Sequence, residues 1–268
     1  MSALEDAIVT SSAVSVICGG SSGMGLAVAT RLGAEGGRVA ILGRRPEALD
    51  RASAKIEAAG AGEVLAIAAD ATVNEQVASA FAAIEERWGE VNALINAVGP
   101  SGAGRFDDLD DDAWHRAFDQ GVLTAVRCTR HALPLLRRAS WARIVNLTAV
   151  STRHQSPGLI AYTSAKSALA SLTKNLARTL AGDGILVNAV APGPVLTGTI
   201  RAAVRAAGGD DRDNVDAYRV MSQQYGATVD VGRVGSPSEL AEVIAFCVSE
   251  TNTYMTGAHL NVDGGSDF

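Results

Sequence analysis

Short apolar runs alternate along the chain with longer segments in which apolar residues recur at helical spacing. The runs have the length of buried strands and lie at residues 13–18, 38–42, 63–69, 91–95, 143–148, 185–190 and 259–262. Among the helical segments, residues 73–88 place Val77, Phe81 and Ile84 on one face. This alternation of predicted strands and helices indicates an α/β fold.

Two other predicted helices carry features that affect their shape or their ends. Residues 111–138 are long for a single helix and contain Gly121, so we expect a kinked or two-part helix there. For the last predicted helix, residues 238–250, Ser238 is the expected N-cap.

Residues 198–232 differ from the rest of the chain because they are polar and interrupted by glycine. A long insertion of this kind after a strand is typical of a lid over a substrate site. Tyr218, Met221 and Tyr225 share one helical face within it. That face either lines a pocket or packs against neighbouring residues.

Composition narrows the class of protein. A chain of 268 residues with 47% hydrophobic residues can bury a sizeable core, and the lack of an internal linker favours one domain over 1–268. The net charge of −6 argues against nonspecific nucleic-acid binding. An uncharged tract at 7–30 is broken by glycines and preceded by acidic residues, which argues against a membrane span or a secretory signal. Three widely spaced cysteines suggest neither disulfides nor a metal cluster, so we expect a cytoplasmic protein without a metal.

A glycine-rich turn follows the first predicted strand. It reads Gly19-Gly20-Ser21-Ser22-Gly23-Met24-Gly25 and leads into a helix. Glycines let the backbone approach a pyrophosphate, and the N–H groups at the start of the helix attract its charge. The spacing differs from the standard dinucleotide fingerprint, and the alternative is a turn with a purely structural role.

Two arginines follow the second predicted strand, where NAD-binding proteins carry an acidic residue for the ribose 2′-hydroxyl. Arg44 and Arg45 suit a 2′-phosphate instead, through forked hydrogen bonds and charge. The sequence therefore favours NADP over NAD. The alternative is that both arginines only solubilise a loop before the helix that Pro46 begins.

The third and fourth predicted strands end in further candidate residues. Asp70 could accept a hydrogen bond from an adenine amine or could cap a turn. The segment 96–100 contains a glycine and a proline, which predict a sharp exit beneath the nicotinamide end of a cofactor.

Tyr162 and Lys166 are four residues apart, so on a helix they lie on one face. A cation at roughly 4 Å favours phenolate by about 4 kcal/mol at an effective dielectric constant near 20, which lowers the phenol pKa by about three units. Tyr162 would then be able to donate or accept a proton near neutral pH. The alternative is an ordinary exposed helix face, but the position just after a strand favours a ligand site.

These motifs occur in an order that resembles the short-chain dehydrogenase/reductase family over nearly the whole chain, and within it the 3-oxoacyl-carrier-protein reductases. The motifs are Cys18-Gly19-x-x-x-Gly23-x-Gly25, Asp70, Asn96-x-x-Gly99, Tyr162-x-x-x-Lys166, Pro192-Gly193 and Asp263-Gly264-Gly265. The resemblance implies a Rossmann-type, doubly wound sheet of seven parallel strands with helices on both faces, and a homotetramer paired through its long helices.

The resemblance also implies the chemistry. Hydride would pass between a nicotinamide and the carbon of a carbonyl or secondary alcohol, possible substrates including 3-oxoacyl thioesters. Tyr162 would exchange the proton, while Lys166 would hold the nicotinamide ribose and depress the pKa of the tyrosine. The expected cofactor-binding residues are Gly19, Ser21, Ser22, Gly23, Met24, Arg44, Arg45, Asp70, Ala71, Asn96, Ala97, Val98, Gly99, Tyr162, Lys166, Pro192, Gly193, Val195 and Thr197.

Three positions depart from the family pattern. The serine that binds the substrate oxygen, thirteen residues before the tyrosine, is replaced by Ala149. The helix asparagine that anchors a water relay is replaced by Gly121, and the second asparagine of the Asn-Asn-Ala-Gly motif by Ala97. These losses motivate a rival interpretation, in which a dinucleotide-binding sensor or scaffold has weak or lost catalysis.

Ser151 is the candidate to replace the missing hydroxyl. Side chains alternate along a strand, so Thr148 should point away from the site, whereas Ser151 shares the parity of Ala149 but lies roughly 7 Å further along if extended. If the loop through Arg153 and His154 folds back, we expect Ser151 to complete a catalytic set with Tyr162 and Lys166. The alternative is that Ser151 is only a turn residue.

Overall fold

The computed structural model describes residues 12–100, 102–153 and 155–266 and contains one sheet of seven parallel strands. The strand order is β3-β2-β1-β4-β5-β6-β7. The strands are β1 Val14–Cys18, β2 Arg38–Gly43, β3 Glu63–Ala68, β4 Ala93–Asn96, β5 Ala142–Leu147, β6 Ile185–Pro192 and β7 His259–Val262. Parallel strands covered on both faces need apolar residues at nearly every position, which is why the strands read as continuous apolar runs.

Helices cover both faces of the sheet. They are α1 Gly23–Gly33, α2 Pro46–Ala58, α3 Asn74–Trp88, α4 Asp111–Phe118, α5 Thr124–Leu136, α6 Ile160–Leu180, α7 Gly198–Ala206, α8 Asn214–Tyr225 and α9 Pro237–Cys247. One core cluster joins the sheet to α1, α2 and α9, and a second joins it to α3, α5 and α6. The fold is therefore the predicted doubly wound α/β domain, and each predicted strand is present with ends shifted by no more than two residues.

The long helix predicted over 111–138 is divided in two, as Gly121 suggested. A π-helical turn at Asp119–Leu123 separates α4 from α5. An ideal Cβ at Gly121 would lie 2.8 Å from Cβ of Ala165 on α6, closer than two carbons can approach. Glycine is therefore required there by the packing of this turn against α6.

The predicted N-cap of the last helix is wrong by two residues. Ser236, not Ser238, caps α9, because its Oγ accepts from the N–H of Glu239 while the Glu239 carboxylate accepts from the N–H of Ser236. Pro237 occupies the first helical position, where its missing N–H costs nothing.

The segment 198–232 forms α7, α8 and a turn, with a small apolar cluster of its own. Tyr218 and Met221 pack against this cluster, so packing is the role that the structure shows for them. The side chain of Tyr225 lies outside the described residues. The two ends of the segment are pinned together by hydrogen bonds between Leu196 N–H and the Gly235 oxygen, at 2.8 Å, and between Gly235 N–H and the Pro194 oxygen, at 2.9 Å.

The sheet extends from β1 in two directions: β2 and β3 lie on one side of β1, and β4 to β7 lie on the other. The order of the strands therefore reverses between β1 and β4. Open α/β sheets bind ligands outside the carboxyl ends of the strands at such a point. Within the described residues, no helix has the length and apolar character needed to cross a membrane.

Candidate active site

A cleft of about 740 Å³ lies at the carboxyl edge of the sheet, beyond the ends of the neighbouring strands β1 and β4. Most of the residues predicted to bind a cofactor lie in its walls. They are Gly19, Ser21, Ser22, Gly23, Met24, Arg44, Arg45, Asp70, Ala71, Ala97, Val98, Gly99, Tyr162 and Thr197. The structure thus gathers residues from the ends of five strands and from the start of α6 around one opening.

The glycine turn is shaped by contacts that exclude side chains. Gly19 has a φ of +90°, and its N–H donates to the oxygen of Leu42 at 2.9 Å. An ideal Cβ at Gly25 would lie 2.3 Å from the oxygen of Gly19. The backbone is therefore folded tightly enough to bring the amino end of α1 to the floor of the cleft, which is the arrangement that binds pyrophosphate.

The opposite end of the cleft is positively charged. Arg44 and Arg45 follow β2, are exposed, and line the cleft. Asp70, at the end of β3, accepts hydrogen bonds from the N–H of Thr72 at 2.9 Å and from its hydroxyl at 2.8 Å, so it caps a turn. Partial burial acts to raise the pKa of Asp70, but the two bonds from Thr72 and the charge of Arg44 lower it overall. Its carboxylate remains ionised and available at the wall.

Asn96 is buried in the sheet and does not line the cleft. Its Nδ2 donates to Oδ1 of Asn146 at 2.8 Å, and Nδ2 of Asn146 donates to Oγ1 of Thr173 at 2.9 Å. This chain of hydrogen bonds fastens β4 to β5 and to α6. The side chain of Asn96 therefore points into the core, and its contact with a cofactor stays a prediction.

Pro192, Gly193 and Val195 also lie behind the wall. Pro192 ends β6, and an ideal Cβ at Gly193 would lie 2.7 Å from Cα of Asp263. Val195 is buried and bridges to Gly235. These residues support the segment from which Thr197 reaches the cleft, and their own contact with a cofactor stays a prediction.

Lys166 and Tyr162 lie on the first turns of α6, and their pKa values correct one prediction. Nζ of buried Lys166 donates to the oxygen of Leu147 at 2.6 Å, behind the cleft wall. Burial lowers the pKa of Lys166 to about 8, and burial also raises the pKa of Tyr162. The predicted lowering of the phenol pKa by the ammonium is therefore wrong, because the loss of water disfavours both charged forms.

The segment after β5 holds the departures from the family pattern. Ala149 is buried, and the hydroxyl of Thr148 points away from the cleft, to Nε2 of His259 at 2.7 Å, as strand alternation predicts. Ser151 lies in a single 3₁₀ turn, Val150–Thr152, outside the cleft wall. Its Oγ is buried and makes no hydrogen bond within the described part of the chain. His154, the histidine nearest to the site in sequence, lies outside the described residues.

Sequence reasoning missed several residues of the wall. They include Thr72, Gln120, Leu159 and Thr199. Thr72 could have been found as the second residue after Asp70, the usual position of a turn donor. Gln120 could not, because only the π-helical turn, which shifts the helical register by one residue, brings it to the wall beside Gly121.

The cleft fits a dinucleotide. Its floor is a backbone cradle that a single Cβ would fill, one end carries two arginines, and the other carries the phenol of Tyr162. These are the features that an adenosine ribose phosphate at one end, a pyrophosphate in the middle and a reacting ring at the other end require.

Comparison with known proteins agrees with this geometry. A family model described as enoyl-(acyl carrier protein) reductase matches residues 19–267. Short-chain reductase protein NovJ of Streptomyces niveus is 32% identical, over 98% of this chain and 97% of its own length. The 2-(S)-hydroxypropyl-CoM dehydrogenase 3 of Xanthobacter autotrophicus is 31% identical, over 94% of this chain and 95% of its own.

Solved structures match over nearly the full length. A variant of actinorhodin polyketide ketoreductase with NADPH has a TM-score of 0.86 at 29% identity, covering 97% of this chain and 99% of its own. An NADPH-bound short-chain oxidoreductase of Pseudomonas aeruginosa with an atypical catalytic centre has a TM-score of 0.88 at 28% identity, covering 96% and 97%. L-sorbose reductase of Gluconobacter frateurii, with NADPH and L-sorbose, has a TM-score of 0.88 at 28% identity, covering 97% and 98%.

The family model spans almost the whole sequence, and the relatives align with the chain over nearly their full lengths. The chain belongs to the short-chain dehydrogenase/reductase family and is an NAD(P)-dependent oxidoreductase.

Proposed function

We propose that the protein is an NADPH-dependent reductase of small carbonyl compounds that can also run in the direction of alcohol oxidation. The observation that carries the proposal is the position of Tyr162, a proton-bearing phenol in the wall of a cleft whose floor is a pyrophosphate cradle. When bound, the nicotinamide supplies the hydride. Tyr162 supplies the proton to the carbonyl oxygen.

Tyr162 carries the proton that the reduction requires. An ordinary phenol is protonated at neutral pH, and burial raises the pKa of Tyr162 further, which keeps it protonated but makes it a weaker acid. Lys166 is held by the Leu147 oxygen, and its ammonium persists below about pH 8. The reductive direction therefore suits these two residues.

The arginine pair supports NADP as the cofactor. Arg44 and Arg45 directly follow β2, where this fold contacts the adenosine ribose of a bound dinucleotide. The structures of three matched proteins hold NADPH, which agrees with this charge. Replacing Arg44 with alanine should weaken NADPH binding by about 10-fold to 100-fold, the worth of a charge-assisted hydrogen bond, and leave NADH binding unchanged. Arg51→Ala, an exposed arginine on α2, is the control.

Ser151 is the hydroxyl that we propose for the substrate oxygen in place of Ala149. Its buried Oγ has no hydrogen-bond partner among the described residues, and a substrate oxygen would supply the bond that is missing. Ser151→Ala should lower kcat by about 10²-fold to 10³-fold while the Kd for NADPH stays the same. Ser171→Ala, an exposed serine on α6, should change neither. Unchanged turnover in Ser151→Ala would remove this residue from the mechanism.

The expected homotetramer has support from exposed apolar side chains beside the long helices. Phe106 is 66% exposed, Phe118 38% and Leu123 43%, and all three lie before or within the stretch that joins α4 to α5. Burying such side chains against a second copy removes apolar surface from water. Light scattering on the purified protein should give four times the chain mass, and a monomer would contradict the pairing.

Absorbance of NADPH and of NADH, followed against a panel of ketones, hydroxyketones and 3-oxoacyl thioesters, tests the function. We expect turnover with NADPH that exceeds turnover with NADH. Tight NADPH binding without turnover on any of them would instead indicate a dinucleotide sensor or scaffold. A preference for NADH would overturn the assignment of Arg44 and Arg45.

A further inference from the structure

A second cavity, of about 390 Å³, adjoins the cofactor cleft. We call it the α4 pocket, because Ala113, Arg116 and Ala117 of that helix form one wall. Tyr162 and Gln120 belong to the walls of both cavities. A molecule that presents its carbonyl to Tyr162 therefore has space for its remaining atoms in the α4 pocket, whose size is typical of small-molecule sites.

The α4 pocket is a built feature rather than a gap between loops. The N–H of Gly104 donates to the oxygen of Gly158 at 2.8 Å, and Gly104 bridges to Leu159. Leu109 packs over Gly104 so closely that an ideal Cβ there would lie 2.4 Å from Cδ2 of Leu109. These contacts fasten the segment after β4 to the start of α6 and hold the pocket open beside Tyr162.

The polar wall of the α4 pocket is acidic. Residues 105–116 contain five aspartates against two arginines, and Asp108 and Asp110 face the pocket. Asp110 accepts from the N–H of Ala113 at 2.8 Å and lies 3.9 Å from a guanidinium nitrogen of Arg116. Both side chains of this pair are largely exposed to water, so they neutralise each other weakly. The field at the pocket is therefore negative.

We propose that the α4 pocket receives the end of the substrate remote from its carbonyl, and that it selects hydroxyl or amino groups over carboxylates and phosphates. The inference rests on the proposed function and names its substrate class. Aspartate oxygens accept hydrogen bonds from hydroxyl and ammonium groups, whereas an anion would meet like charge. Neutral or cationic hydroxy- or aminoketones are therefore the substrates, and thioesters of anionic carriers are disfavoured.

Three ketones with one carbon skeleton and a terminal amino, hydroxyl or carboxylate group provide the test. With NADPH at low salt, kcat/KM should be lowest for the carboxylate. Asp108→Asn, which keeps the side-chain oxygen that accepts from the N–H of Arg105, should narrow the amino-to-carboxylate ratio by roughly 25-fold, because one unit charge at 4 Å in water changes kcat/KM about fivefold for each of the two substrates and in opposite directions. Asp50→Asn, on exposed α2, makes the same charge change far from the pocket and should leave the ratio unchanged.

A variant that fills the α4 pocket distinguishes a failure of the pocket proposal from a failure of the proposed function. Ala113→Phe places a large side chain in the α4 pocket and should raise KM at least tenfold for the three ketones with terminal groups. KM for the smallest ketone that the wild type reduces, and the Kd for NADPH, should stay unchanged. If no ketone is reduced by the wild type, the proposed function fails. If ketones are reduced but the filling variant acts on small and long ones alike, or the carboxylate is the best of the three, the α4 pocket is not the substrate site.

Discussion

Replacing Lys166 with methionine tests the energetic account of the site. The pKa of Lys166 falls from 10.5 to about 8 on folding, which corresponds to about 3 kcal/mol between its charged and neutral forms. Between these two pH values the unfolded chain binds more protons than the folded one, so the stability of the wild type rises with pH. Below about pH 8 the full cost of burying the Lys166 ammonium lowers the stability of the wild type, and above about pH 10.5 this cost is absent.

Methionine has similar length and no charge, so the variant lacks this pH dependence. The free energy of unfolding of Lys166→Met minus that of the wild type should therefore decrease by about 3 kcal/mol as pH rises through this window. Urea denaturation at a series of pH values measures it, and taking the difference cancels the titration of other groups. The absolute difference also contains the loss of the hydrogen bond to the Leu147 oxygen, about 1 to 3 kcal/mol, so the test uses only the change of the difference with pH.

Lys174→Met is the matched control for this experiment. Lys174 lies on the same helix and also donates to a backbone oxygen, that of Gly257 at 3.1 Å, but it is exposed to water. Its substitution should leave the slope of stability against pH unchanged. A flat difference for Lys166→Met, or one that increases with pH, would refute the argument that burial dominates the energetics of this lysine.

Two further predictions concern packing. Gly121→Asn, which restores the side chain common in the family, should lower the unfolding free energy by about 1 to 3 kcal/mol, because its Cβ would lie 2.8 Å from that of Ala165. Adding Ala165→Gly should recover most of the loss, and failure of this rescue in thermal unfolding would contradict the steric reason. The three cysteines are buried, so a thiol reagent should label none in the native protein and all three in denaturant; rapid native labelling would show that the core opens.

The sheet could be predicted from the sequence because parallel strands covered on both faces carry apolar residues at nearly every position. Strands β2 and β7 were located to within one residue at either end. The start of α9 was harder, because Ser236 and Ser238 both precede an apolar stretch. Only the reciprocal bonds of Ser236 with Glu239 decide between them, and these depend on where Pro237 allows the helix to begin.

The candidate site was predictable where a motif is local and unpredictable where it depends on distant partners. The glycine turn was predictable because the positive φ of Gly19 and the close approach of Gly25 to the Gly19 oxygen involve residues only a few positions apart. Asn96 points into the core because it bonds with Asn146, fifty residues later. The direction of the pKa shift of Tyr162 depends on burial by the assembled fold, and the α4 pocket on the fastening of Gly104 to Gly158.

Tyr162→Phe tests the central claim most directly. The variant removes one hydroxyl and keeps the ring, so the Kd for NADPH should stay within about twofold of the wild-type value. We predict that turnover of the best ketone, followed as NADPH oxidation, falls by about 10²-fold to 10⁴-fold, the usual contribution of a positioned acid. Turnover equal to that of the wild type would contradict the account, because the proton would then come from another group.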